Sequence, residues 1–290
     1  MKFTKPPLTL KDQINHIKNH YNLKCKNEKL IENYLLHCNY YKLRGYWLFF
    51  EEIKKSVYFE EVINLYEFDK SLRNLILSYI ERIESSIKSI FAYHLSTEYN
   101  DPHILLNKRL FENKSFYKQS LIQLINNYYN SNEIFASHFH NKYDETIPPI
   151  WVSVELMTLG EISKWYRNLN IDDRKKIAKY YSLKERYLST FLLHLTEVRN
   201  ICAHHSRLWN RKIAKGFQIP SFLNLYAPNQ IYKIYHTVIM MDYILGKINI
   251  ENSLLNEFIK LILKHDIPIK YMGFPKNYNI KGLENARYEY

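Results

Sequence analysis

Between Glu197 and Arg211 the chain reads EVRNICAHHSRLWNR, which gathers a carboxylate, two imidazoles and three guanidiniums into fifteen residues. On an ideal helix Glu197, Asn200, His204, Arg207 and Arg211 share one face, and Phe191, Leu195, Val198, Cys202 and Trp209 form an apolar stripe opposite. An imidazole exchanges protons near neutral pH, and guanidiniums present forked donors matched to phosphate oxygens. These are the parts that metal-free RNA cleavage requires: a base for the 2′-OH, an acid for the 5′-oxygen and positive charge for the phosphorane-like transition state. Arg199 stands about 140° round the helix from His204, so bringing both to one phosphate requires a helix break or a second chain. The same pattern also fits a solvated helix face. His205, nearer the apolar side, is expected to be packed and hydrogen-bonded, and Cys202 to be core. Cys202, His204 and His205 lack a second ligand pair, and His138 and His140 in SHFHN lack carboxylates at ligand spacing, so no metal site is expected.

Composition narrows the partner. Lys and Arg number 41 against 29 Asp and Glu, a net charge of +12 with a pI near 9.3, which favours a polyanion such as nucleic acid. Part of that excess belongs to a composition rich in Lys, Asn, Ile and Tyr. Three scattered cysteines, Cys25, Cys38 and Cys202, oppose a disulfide framework and suit a reducing cytoplasm. Six dispersed glycines contain no phosphate-cradling loop, and no cofactor is expected. No apolar run is long enough to span a membrane.

The elements that must position this block read as helices. Thr9 and Asp12 resemble a capping box opening a helix to about His20, and a second helix covers about Glu28 to Cys38. NYYKLRGYWLFF, residues 39–50, reads as a buried turn at Gly45 leading into a short helix. From about Tyr66 to His94, Leu72, Ile76, Ile80, Ile83, Ile87 and Phe91 recur at helical spacing, with Glu81, Glu84 and Lys88 on another face. Asp69/Arg73 and Glu84/Lys88 are i,i+4 pairs that ordinarily stabilise a helix. Residues 100–111 read as a connection and Lys114 to Tyr129 as a helix with Leu121, Leu124 and Ile125 inward. After Pro148-Pro149, Thr158-Leu159-Gly160 separates two short helices. Further helices are expected at about 171–181, 184–209, 229–247 and 252–264, ahead of an irregular tail from Pro268.

These segments resemble a known family. Arg199-Asn200 followed by His204 matches the R-N-x-x-x-H form of the R-x(4–6)-H signature of the HEPN ribonuclease superfamily, and AHHSRLWNR is similar to the Abi-like family of phage abortive-infection proteins. KPPLTLKDQI, NYYKLRGYW, FEEVINLYEFDKSLRNLILSYIERIESSIKS and PPIWVSVELMTLGEIS resemble that family in its order, over about residues 5 to 250. Trp151, Glu155, Thr158 and Gly160 fall in one of those segments and are expected to be structural.

The resemblance implies an all-α, multi-helix HEPN-like bundle: an added N-terminal helical segment over 1–50, the HEPN-like domain over 51–250, and a C-terminal helix and irregular tail over 251–290. It implies a metal-independent endoribonuclease that leaves a 2′,3′-cyclic phosphate, acts as a toxin in abortive infection and builds its site from two HEPN units, hence a cytoplasmic homodimer. His204 then transfers protons, Arg199 stabilises the scissile phosphate and Asn200 orients one of them. Glu84, Lys88, Glu197, His205 and Arg207 support, and Arg207, Arg211 and Lys212 bind RNA. Some relatives are paired with a small structured RNA that restrains them, and RNA is expected as substrate and as such a partner. The alternative is a non-catalytic basic RNA-binding scaffold of the same fold. A transferase on a related scaffold lacks a nucleotide loop or metal triad.

Overall fold

A computed structural model of the chain describes residues 2, 4, 6–21, 23–53, 56–223, 232–248 and 252–275. Among the described residues there are twelve α-helices, several 3-10 turns and no strand, so the fold is all-α. The chain divides into two units: the described residues up to Arg73 with Lys260–Pro268, and those of Asn74–Ile259 with the chain from Ile269.

In the first unit, α1 (Leu10–Tyr21) opens as its sequence predicts. Thr9 Oγ1 accepts from the Asp12 amide at 3.2 Å and donates to the Asp12 carboxylate at 2.6 Å, and the helix buries Ile14 and Ile17. Helix α2 (Glu28–Cys38) is capped by Asn27, whose side chain accepts from Leu30 N. The turn expected at Gly45 does not form. The break falls at Asn39, which holds φ 67° and caps α3 (Tyr40–Glu52) through Tyr41 N; Asn tolerates this left-handed backbone. Gly45 lies mid-helix with open space around it, while Leu43, Tyr46, Trp47 and Phe49 pack inward and Tyr41 faces solvent.

Helix α4 (Phe59–Tyr99) outruns the expected span at both ends. In the first unit it carries a buried ion pair: Arg73 Nη1 donates to Asp69 Oδ2 at 2.6 Å, and Tyr46 Oη donates to the same oxygen at 2.7 Å. The i,i+4 pair therefore ties α3 to α4 rather than decorating a wet helix.

In the second unit α4 buries Ile76, Ile80, Ile83, Ile87 and Phe91. The connection expected over 100–111 contains two 3-10 turns, Ile104–Leu106 and Lys108–Leu110. Helix α5 (Lys114–Tyr129) is capped by Asn113 and buries Leu124 and Tyr128, with Leu121 and Ile125 half-buried. Helix α6 (Ile134–Lys142) was not anticipated and carries His138 and His140 on its exposed surface. After Pro149, α7 (Ile150–Ser153) passes into a 3-10 turn. Helix α8 (Leu159–Asn168) starts at a capping box between Thr158 and Glu161.

Helix α9 (Ile171–Lys179) starts at Asn170. Its buried Asp173 accepts from Asn170 and Tyr99 and pairs with His94. Burial alone raises that carboxyl, but these three partners outweigh burial and hold it below the usual range. Helix α10 (Glu185–Ala203) packs on α8 and α9; a Cβ at Gly160 would stand 3.2 Å from Thr196 Cγ2, so α8 and α10 approach closely there. Helix α11 (Ile234–Ile248) is buried on every side from Ile234 to Leu245, the polar His236, Thr237 and Asp242 included. The expected start of this helix at 229–231 lies outside the described residues. Helix α12 (Leu254–His265) follows, then a 3-10 turn at Ile269–Tyr271; residues 276–290 of the expected tail lie outside the described residues. Among the described residues no helix is long and apolar enough to cross a membrane.

The buried pair sets a stability prediction. Arg73→Ala strips a buried carboxylate of its cation and lowers the unfolding free energy by about 3–5 kcal/mol in urea titrations, whereas the double replacement Asp69→Leu with Arg73→Met costs much less.

Candidate functional site

Helix α10 buries Leu188, Phe191, Leu195, Val198 and Cys202, so its first side is the expected apolar stripe. The helix ends at Ala203, six residues short of the expected end. His204 is its C-cap with φ −86°, and His205 takes φ 54°. His205 N donates to Cys202 O at 3.0 Å and Ser206 N to Ile201 O at 2.9 Å, the paired bonds of a Schellman stop with histidine where glycine is usual. His205 is therefore exposed, which corrects its expected packed position. Arg207, Trp209 and Arg211 likewise leave the helix and belong to the segment that follows it. Trp209 and Cys202 are core all the same.

That segment is led back along α10 by three side chains at positions 190, 194 and 197. Glu197 accepts from the amides of Ala214 at 3.0 Å and Lys215 at 2.7 Å, and Gln218 N donates to Thr190 Oγ1 at 3.2 Å. His194 lies buried between them, bonding the Lys215 carbonyl through Nδ1 and Thr237 Oγ1 through Nε2 at 2.8 Å. A carbonyl only accepts, so Nδ1 carries the proton and Nε2 accepts from the threonine hydroxyl. Burial outweighs the favourable carbonyl and Glu197 and pushes this imidazole down to about 4. Glu197, expected beside the chemistry, is thus engaged with backbone. Thr190 and His194 were missed as positioning residues, and their i,i+4 spacing ahead of Glu197 was the available signal.

The R-N-x-x-x-H block occupies the last turns of α10 and its C-cap. Arg199 is half-buried, Asn200 and His204 are exposed, and Arg199 Nη1 reaches Asn200 Oδ1 at 3.4 Å. Arg199 lines a cleft of about 380 Å³ with Glu81, Glu84, Ser85 and Lys88 of α4, where Lys88 Nζ and Glu84 Oε1 form an ion pair at 3.1 Å. The structure thus joins Arg199 to Glu84 and Lys88, while His204 stands outside the lining of this cleft. Beyond the helix, Arg211 Nη1 donates to Arg207 O at 3.3 Å, and Lys212 Nζ lies 5.4 Å from the centre of the Tyr232 ring. Lys233 donates to Asn210, and burial and then Arg207 push its ammonium down. Among the described residues no group of three or more His, Cys, Asp or Glu is placed to hold a metal ion.

A family model described as Abi-like protein matches residues 33–210, more than half of the chain and including Glu84, Lys88, Arg199, Asn200 and His204. The span is narrower than the 5–250 over which the motifs resemble that family. No curated protein and no solved structure is significantly similar to the chain.

Two measurements test how the site is held. The folded His194 titrates near 4 against about 6.5 unfolded, so its contribution is complete above pH 6.5 and lost as pH falls toward 4. The urea midpoint accordingly falls over that window by the equivalent of about 3 kcal/mol, and His194→Gln flattens the dependence. His205→Gly relieves the left-handed backbone and raises the stability measured by thermal unfolding by up to about 1 kcal/mol, whereas His205→Val lowers it.

Proposed function

Because the chain belongs to the Abi-like protein family, which points to a role in phage resistance, we propose that it is a metal-independent HEPN-type endoribonuclease acting as a toxin in abortive infection. The observation that carries this reading is the arrangement of the R-N-x-x-x-H block at an abrupt helix end: an exposed His204 on the cap and Arg199 at a polar cleft one turn earlier. In the reaction His204 exchanges the proton. The 2′-oxygen attacks phosphorus, the bond from phosphorus to the 5′-oxygen breaks, the departing oxygen takes up a proton and a 2′,3′-cyclic phosphate remains. Arg199 neutralises the charge that gathers on the phosphoryl oxygens, and Asn200 orients it through their shared contact. Glu84 and Lys88 bound the space in which Arg199 moves, and Arg207, Arg211 and Lys212 meet the RNA backbone.

In this reading two chains combine, His204 of one with Arg199 of the other, which answers their separation within a single chain. A small structured RNA restrains the toxin in the cytoplasm, in keeping with the +12 charge. A second reading, a basic RNA-binding scaffold without catalysis, draws on the cations of the segment after α10, which serve binding without His204.

Induction of wild type, His204→Ala and Arg199→Ala, followed by end-mapping of cellular RNA, separates the two. The nuclease reading expects growth arrest and new 2′,3′-cyclic ends with wild type only, and a loss of at least about 100-fold in cleavage by either variant. Three proteins that behave alike and copurify with one small RNA support the scaffold. A monomer by sedimentation that still cuts RNA refutes the two-chain site.

A further inference from the structure

A second cavity, of about 340 Å³, lies where α5, α6 and the Pro148-Pro149 segment meet, and none of the R-N-x-x-x-H residues lines it. Its walls are aromatic, Tyr128, Phe139, Tyr143 and Trp151, with the His103 imidazole and the Glu145 carboxylate also in the lining. Two details give it the character of a binding site rather than a packing gap. Trp151 lines the cavity and is 53% exposed. The frame is rigid: Ile150 N donates to Pro102 O at 2.8 Å, Ser153 Oγ to Pro148 O at 2.7 Å, and His103 N to Asp101 Oδ1 at 2.8 Å.

Aromatic walls take a flat ring by stacking, and the volume sits at the small end of ligand cavities, enough for a single base. The polar groups select which base. Guanine presents two adjacent N–H donors, N1–H and N2–H, that one carboxylate accepts together, and its O6 and N7 are acceptors within the chemistry of an imidazole N–H. Adenine, cytosine and uracil do not offer that pair of donors. We propose that this cavity binds a guanine base, stacked on Trp151 and its aromatic neighbours, with Glu145 on the N1–N2 edge and the His103 imidazole toward O6 and N7. The inference extends the RNA reading above. Its test reads binding and not cleavage, so it stands or falls apart from the nuclease.

The other three tryptophans, Trp47, Trp165 and Trp209, are each 0–1% exposed, so quenching of tryptophan emission by a stacked base reports Trp151. The full chain carrying His204→Ala, which keeps RNA intact, is titrated with GMP, AMP, CMP and UMP. It is then titrated with a short single-stranded RNA containing one guanine and with the same RNA bearing adenine there. GMP quenches at about one-tenth of the concentration that AMP requires. Glu145→Gln brings GMP and AMP within about twofold of each other, and Trp151→Phe removes the quench while calorimetry still records GMP binding. Both side chains are exposed, and circular dichroism confirms that the variants fold. A guanine-containing RNA that binds at least tenfold tighter than GMP identifies a base within an RNA chain as the occupant; GMP binding as tightly as the RNA identifies a free guanine nucleotide. Equal response to all four nucleotides, no response to any guanine probe, or a quench unchanged in both variants overturns the proposal.

Discussion

A buried, neutral imidazole sets the geometry of the end of α10. His194 uses both ring nitrogens, giving its Nδ1 proton to a main-chain carbonyl and receiving one from the Thr237 hydroxyl of α11. The carbonyl fixes the tautomer and burial keeps the ring uncharged, so helix, returning segment and central helix are locked by one side chain in one protonation state. Glu197, one turn on, completes the hold by accepting two successive amides that would otherwise end without partners in a loop. The R-N-x-x-x-H block hangs from this arrangement, since Arg199, Asn200 and His204 all follow Glu197 within two turns.

The second constraint is the helix stop. A left-handed residue at position 205 turns the chain sharply, leaves His204 on the last turn with its imidazole in solvent and sends Arg207 and Arg211 away from the helix axis. Histidine at such a position costs backbone energy that glycine does not. Arg199, one turn earlier, faces α4 and its Glu84–Lys88 pair. Helix end and helix body thus set His204 and Arg199 in different surroundings.

Periodicity made the helices legible because helical amphipathicity is a local property. The apolar stripe of α4, the Thr9 start and the burial of Cys202 all follow from spacing and cap chemistry. What periodicity does not carry is where a helix stops. Continuing the 100° rotation past Ala203 put Arg207 and Arg211 on a face that no longer exists, because the stop depends on a His in a left-handed conformation instead of the glycine that signals it. Gly45 misled in the opposite sense: glycine is tolerated inside α3, and Asn39 supplied the break. Glu197 was read as part of the chemistry because its partners, the amides of Ala214 and Lys215, are backbone groups and leave no trace in side-chain identity. The cleft joining Arg199 to Glu84 and Lys88 needed the long-range packing of α4 beside α10, which pattern within either helix does not encode.

The grip of Glu197 and His194 on the returning segment has an evolutionary consequence. Every atom they hold at Ala214 and Lys215 is main chain, so the identity of those exposed side chains does not enter the clamp. Drift can rewrite them without loosening the end of α10. The framework thereby stays fixed while a short stretch of surface beside it is open to substitution.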